Sequence, residues 1–216
     1  METARLQTVV VARHGERLDS VDEDWAKRNV TRIYDPPLTS RGEAQATEAG
    51  RTIASKVKGI RHVISSPYLR CLQTSKAIAD VLRLPSLGVN NDLSEYLEAS
   101  LYRRKPNFPS PLMPTNIKLD DSGIDSPLPP LPEDKSVVFE RFDRAINQTA
   151  DKHWPRNLVL VTHVIGVSKA VCLGYPCDKI DVEKVDVCGY VTLQRECRGS
   201  LWKMIDSRGV HFVVIL

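Results

Sequence analysis

Two runs of consecutive uncharged residues, Thr8-Val9-Val10-Val11-Ala12 and Leu158-Val159-Leu160-Val161-Thr162, constrain this chain more than any other feature. A strand with one wet face alternates apolar and polar side chains. An unbroken, largely β-branched run suits a strand covered on both faces, as in a parallel sheet. Parallel neighbours need crossover connections, usually helices, and the intervening sequence supplies them. A helix is expected from Ser40, with Ser40 and Glu43 in capping-box register, Ala46, Ala49, Ile53 and Val57 along one face, and Gly59 at its end. His62-Val63-Ile64-Ser65 reads as a second strand, and Ser66-Pro67 as the N-cap and first residue of a helix reaching about Leu82, with Ile78 and Leu82 inward. Helices over residues 136–152 and 166–173 flank the 158–162 strand, and residues 189–193, 201–205 and 210–215 read as further, partly antiparallel strands. The expected fold is α/β, a mostly parallel central sheet flanked by helices on both faces.

The alternation breaks once. Between Lys105 and Pro132 lie eight of the chain's 14 prolines, with few large apolar residues beyond Phe108, Met113 and Ile117. Such a stretch sustains no core element and reads as an inserted lid, about residues 99–135, within one domain spanning residues 1–216. A chain of 216 residues buries roughly 70% of its unfolded surface, enough for one core without disulfide staples.

Composition removes several classes. With 42% hydrophobic and 26% charged residues the chain is an ordinary globular one, and no apolar run approaches the roughly 20 residues that cross a bilayer. The formal charge of +3 is scattered; the one basic triplet, Arg103-Arg104-Lys105, comes with no nucleic-acid-binding pattern and reads as a solvated surface. The cysteines, Cys71, Cys172, Cys177, Cys188 and Cys197, are odd in number and form no C-x-x-C pair, so they read as reduced, buried thiols with no structural zinc. A cytoplasmic protein without nucleic-acid or membrane partners is expected, with a homodimer left open.

In an open α/β sheet, ligands bind beyond the carboxyl ends of the strands. The first strand delivers Arg13-His14-Gly15-Glu16-Arg17 to that edge, the second Ser65-Ser66-Pro67 and, one helical turn later, Arg70, and the 158–162 strand Thr162-His163. Two histidines and three arginines thus converge from distant segments. Arginine forks match phosphate oxygens and stay charged at any working pH. Their charge disfavours an imidazolium at His14, leaving a neutral ring that is competent to attack phosphorus.

Arg13-His14-Gly15-Glu16-Arg17, Asp35-Pro36-Pro37-Leu38-Thr39, Ser65-Ser66-Pro67-Tyr68-Leu69-Arg70 and Val161-Thr162-His163 resemble the signatures of the histidine phosphatase superfamily, in its phosphoglycerate mutase-like first branch. Within that branch the form is similar to the phosphatase domain of the UBA/SH3-containing tyrosine phosphatases and to the ecdysteroid-phosphate phosphatases. The resemblance implies that His14 attacks phosphorus and carries a phosphohistidine, that Arg13, Arg17 and Arg70 hold the non-bridging oxygens, and that His163 donates to the same group. It also implies an acid in an L-x-E segment. Leu93-Ser94-Glu95 matches, making Glu95 the proton donor, with Asp92 and Glu98 as nearby competitors. Val164 stands where many members carry a smaller residue, and the mutases' N-E-R segment is missing.

The implied activity is metal-independent, cofactor-free hydrolysis of a phosphomonoester borne by a small molecule or a phosphoprotein. The alternatives are a phosphoglycerate-type mutase and a catalytically idle phospho-ligand-binding scaffold. His62, His153 and His211 fall outside the constellation.

Overall fold

The computed structural model describes residues 6–96, 113–175 and 180–214. Six strands form one sheet: β1 (Gln7–Arg13), β2 (Ile60–Ser65), β3 (Gly88–Val89), β4 (Asn157–Thr162), β5 (Ile180–Arg195) and β6 (Lys203–Val214), in the order β3-β2-β4-β1-β5-β6. The first four of that order run parallel, and β5 and β6 antiparallel. Helices follow the strands: α1 (Trp25–Arg28), α2 (Ser40–Lys56), α3 (Leu69–Leu82), α4 (Lys135–Lys152) and α5 (Val164–Gly174). Alternation along β1 explains the unbroken apolar run. Val10 and Ala12 pack with Ile53 of α2 and Ile78 of α3, whereas Val9 and Val11 pack with Ile146 of α4 and Val167 of α5. Both faces are covered, as expected of parallel strands. Among the described residues no helix is long and apolar enough to cross a membrane.

Several local expectations need correction. Thr39, not Ser40, caps α2, its hydroxyl accepting from the Gly42 amide. Helix α3 begins at Leu69, after Ser66-Pro67, and the carboxylate of Asp35 accepts from the Leu69 amide at 2.7 Å, so its cap comes from another loop. The two strands expected over 201–205 and 210–215 are one, β6, over residues 203–214, with residue 215 outside the described residues, and β5 starts nine residues before residue 189. Of the cysteines, Cys71, Cys172, Cys188 and Cys197 are free thiols, and Cys197 is exposed in a turn where a buried site was expected; Cys177 lies outside the described residues.

Part of the Pro-rich insertion, residues 97–112, also lies outside the described residues. The stretch after it runs along the β3 edge of the sheet without a regular element of its own. Leu87 donates to the Lys118 carbonyl, Asp120 donates back to Leu87, and Ile117 is buried in the core.

Candidate active site

The carboxyl ends of β2, β4 and β1 lie side by side, and main-chain hydrogen bonds lock the residues just beyond those ends together. The His14 amide donates to the Thr162 carbonyl at 3.1 Å, the Ser66 amide to Val161 at 2.9 Å, and the Cys188 amide to the His14 carbonyl at 3.1 Å. This ladder brings His14, Ser66 and His163 to one point from distant parts of the chain. The loop after β1 then rests on the first turn of α2. A Cβ on Gly15 would lie 2.5 Å from the Gly42 carbonyl oxygen, and one on Gly42 would lie closer still to that of Glu16, so both positions need glycine for close approach.

His14 is 2% exposed. Its Nδ1 lies 2.8 Å from the Gly15 carbonyl oxygen. A carbonyl only accepts, so Nδ1 carries the hydrogen and Nε2 keeps its lone pair. Burial first, then the charge of Arg70 and the neighbouring His163, hold the His14 pKa well below the usual histidine value. The ring is therefore neutral at physiological pH, though desolvation contributes more to this than the arginines do.

The ring of His163 packs edge-on against those of His14 and Tyr68, with centroids 5.4 and 5.1 Å away. Its Nδ1 is 3.2 Å from Glu95 Oε2 and its Nε2 2.9 Å from Ser66 Oγ. An ionised carboxylate only accepts, so Nδ1 donates to Glu95 and Nε2 accepts from the Ser66 hydroxyl. Burial lowers the His163 pKa to about 4, with Glu95 opposing and Arg70 assisting the shift.

Arg70 is fully enclosed. Its Nη1 donates to the Tyr34 carbonyl at 3.0 Å, its Nη2 lies 3.5 Å from Glu95 Oε2, and its guanidinium covers the Tyr68 ring at 4.4 Å. Burial alone would raise the Glu95 carboxyl, but His163 and Arg70 outweigh it and hold it well below the usual carboxylate range. Glu95 thus rests on donors of Arg70 and His163. Arg13 reaches across to the Val185 carbonyl at 2.5 Å, and its Nε is buried without a hydrogen-bond partner among the described residues. Arg17 stands apart at the rim, its guanidinium fork engaged by Asp19 at 2.9 and 3.1 Å, yet close enough for its charge to lower the Arg13 pKa after burial has done so.

His14, Arg13, Arg70, His163 and Glu95 are therefore brought together, with Arg17 at the edge of the group. Of the acid competitors, Asp92 is turned towards α4, where burial raises its pKa despite Arg141 and Arg144; Glu98 lies outside the described residues. Two functional neighbours escaped sequence reasoning, Ser66 as a partner of His163 and Arg141, which donates to the carbonyls of Asp92 and Ser94 just before Glu95. Only the position of Ser66 at a strand end could have signalled the first; Arg141, mid-helix, carries no local signal. Among the described residues no three His, Cys, Asp or Glu side chains gather as a metal centre requires.

Residues 9–206 match the family model of the histidine phosphatase superfamily (branch 1). The chain belongs to that family. It is similar to phosphoglycerate mutase-like protein 4 of Arabidopsis thaliana, 28% identical over 157 residues that cover 72% of this chain and 65% of that protein. It is also similar to ubiquitin-associated and SH3 domain-containing protein B of Mus musculus, 24% identical over 194 residues covering 80% of this chain and 30% of the relative. The chain thus spans under two thirds of the one relative and under a third of the other. Among solved structures, the ecdysone phosphate phosphatase from Bombix mori in complex with tungstate superposes with a TM-score of 0.68 at 22% identity, over 93% of this chain and 92% of that one. The family model thus gives the superfamily, and the solved structure shows that the fold is shared.

Proposed function

We propose that this histidine phosphatase is a metal-independent phosphomonoesterase that works through a phosphohistidine on His14. The observation that carries the reading is the state of that ring: buried, neutral and tied through Nδ1 to the Gly15 carbonyl, which leaves Nε2 as the nucleophile. Arg70 and His163 hold the phosphoryl oxygens on the donors that Glu95 otherwise engages, and the unpartnered Nε of Arg13 supplies another donor. Arg17 adds positive potential from the rim. Fixed cations thus neutralise the charge of the transferring group, the main task in phosphoryl transfer.

The low pKa of Glu95 fits an acid role once substrate is included. A phosphate dianion displaces the carboxylate from Arg70 and His163 and cancels the positive potential of the arginines, so Glu95 moves to the leaving oxygen and takes up a proton there. Nε2 of His14 then attacks in line, the ester P–O bond breaks, and Glu95 protonates the departing oxygen. In the second step water attacks phosphorus, Glu95 accepts its proton, and the P–N bond breaks to release phosphate and neutral His14.

The substrate is a phosphomonoester on a small molecule or a phosphoprotein. The Bombix mori neighbour, an ecdysone phosphate phosphatase in complex with tungstate, supports a site shaped around a tetrahedral oxyanion. Acid-quenched incubation with a ³²P-labelled phosphomonoester should leave acid-labile label on the wild type and none on His14→Ala. Label on another residue, or turnover that depends on a bisphosphorylated primer, would overturn the reading.

A further inference from the structure

Among the described residues, the segment that carries Glu95 has no sheet partner of its own. After β3 it makes a single 3-10 turn (Asn91–Leu93) and then runs on irregularly. Its buried carbonyls need donors from elsewhere, and they receive them in succession. Arg141 Nη1 donates to Asp92 O at 2.7 Å and to Ser94 O at 2.9 Å, and Thr162 Oγ1 donates to Leu93 O at 2.8 Å. Thr162 is the residue before His163, so one of these bonds ties the segment directly to the histidine that Glu95 touches.

Arg141 is itself held in place. It is 3% exposed, and its Nε and Nη2 form a fork on the Glu133 carboxylate at 2.5 and 2.8 Å; Glu133 is 4% exposed. Burying such a pair is costly, and an apolar pair of equal volume often serves stability as well or better. An apolar pair could not grip two carbonyls. Lysine would supply the charge without the planar fork and the two directed donors.

We propose that Arg141, oriented by Glu133, is a positioning residue that sets Glu95 at the height needed to protonate the leaving oxygen. The inference rests on the reading of Glu95 as the acid. It predicts a signature that general loosening of the fold would not give, because a displaced acid matters only where the leaving group needs a proton.

The experiment compares kcat on an alkyl phosphate and on nitrophenyl phosphate for wild type, Arg141→Lys, Glu133→Gln, Glu95→Gln and the double variant Glu95→Gln/Arg141→Lys. Misplacement by about 1 Å costs up to roughly 100-fold, so Arg141→Lys should lose about 10- to 100-fold on the alkyl ester. It should stay within about threefold on nitrophenyl phosphate, with vanadate inhibition no weaker than in the wild type. In the double variant the alkyl-ester loss should be no greater than in Glu95→Gln alone. Equal losses on both substrates, or additive losses in the double variant, would overturn the inference while Glu95 remained the acid. If Glu95→Gln itself showed no leaving-group dependence, the acid assignment would fall and this inference with it. Should Arg141→Lys fail to fold, Glu133→Gln, which keeps volume and hydrogen bonding, is held to the same criteria.

Discussion

His14 and His163 follow β1 and β4, neighbours in the middle of the sheet, and main-chain bonds fix both before any side chain is considered. Glu95 follows a two-residue edge strand and a single turn, and side chains from α4 and β4 hold it. One half of the site is therefore a property of the sheet and the other an attachment to it. On the proposed reading, phosphoryl binding and nucleophilic attack, common to any phosphomonoester, belong to the first half. On the same reading the proton for the leaving group, whose importance varies from one alcohol to the next, belongs to the second. Chemistry that must not vary is built into the rigid element, and chemistry that meets the substrate's variable part is built beside it.

Removing the nucleophile tests the rigid half most severely. His14→Ala should reduce turnover by on the order of 10⁴-fold or more on every substrate, because no other group here forms the bond to phosphorus. It should leave circular dichroism unchanged, since the Nδ1 bond to Gly15 and the edge contact with the His163 ring are lost while the main-chain bonds that hold the loop remain. Near-normal turnover would mean that the sheet-borne half does not carry the reaction.

Arg70→Lys should come next, at roughly 100- to 1,000-fold in kcat. Lysine keeps the charge but cannot hold the Tyr34 carbonyl, lie over the Tyr68 ring and present a directed donor beside His163 at once. If Arg70 serves the phosphoryl group as proposed, alkyl and nitrophenyl esters should suffer alike. A loss confined to the alkyl ester would place Arg70 with the acid and dissolve the distinction between the halves.

Glu95→Gln should give the opposite pattern, about 100-fold on an alkyl phosphate and far less on nitrophenyl phosphate. It should also bind inorganic phosphate or vanadate more tightly than wild type, since the carboxylate no longer competes for Arg70 and His163. Weaker anion binding in this variant would show that Glu95 supports the phosphoryl group and does not stand in its place.

The same division explains what can be read in the sequence. β1, β2, β4 and their helices are legible because burial on two faces leaves unbroken apolar runs, and the polar residues after those runs lie at the ligand edge. The start of β5 is not legible. Asp181 and Glu183 alternate with Ile180 and Val182, but the adjacent Lys184 breaks the period where the pairing with β6 shifts register, so the stretch looks like a polar linker. β6 reads as two strands because Ser207, Arg208 and Gly209 interrupt its apolar pattern. Ser66 looks like a cap, but its hydroxyl serves His163 while Asp35 caps α3. Glu95 emerges through family resemblance, and Arg141 not at all, since a cation inside an amphipathic helix looks like a surface residue until its partners are known.

The smallest effect concerns pH and separates the sheet-borne histidines from a second pair at the opposite edge. His14 and His163 are buried at the ligand edge, and His62 and His153 stack at a ring separation of 4.1 Å. Burial lowers all four pKa values below the ordinary 6.5. Between those lowered values and 6.5 the unfolded chain binds more protons than the folded one, so stability falls as pH drops through that window. Denaturant midpoints should therefore decline from about pH 7 to about pH 5, before most carboxylates titrate. His14→Ala should flatten the decline and abolish activity, whereas His62→Gln should flatten it to a lesser degree and leave kcat and KM intact. A flat wild-type profile over this range would mean that the histidines are not held neutral. A large activity loss in His62→Gln would mean that the far edge of the sheet is coupled to the phosphoryl site.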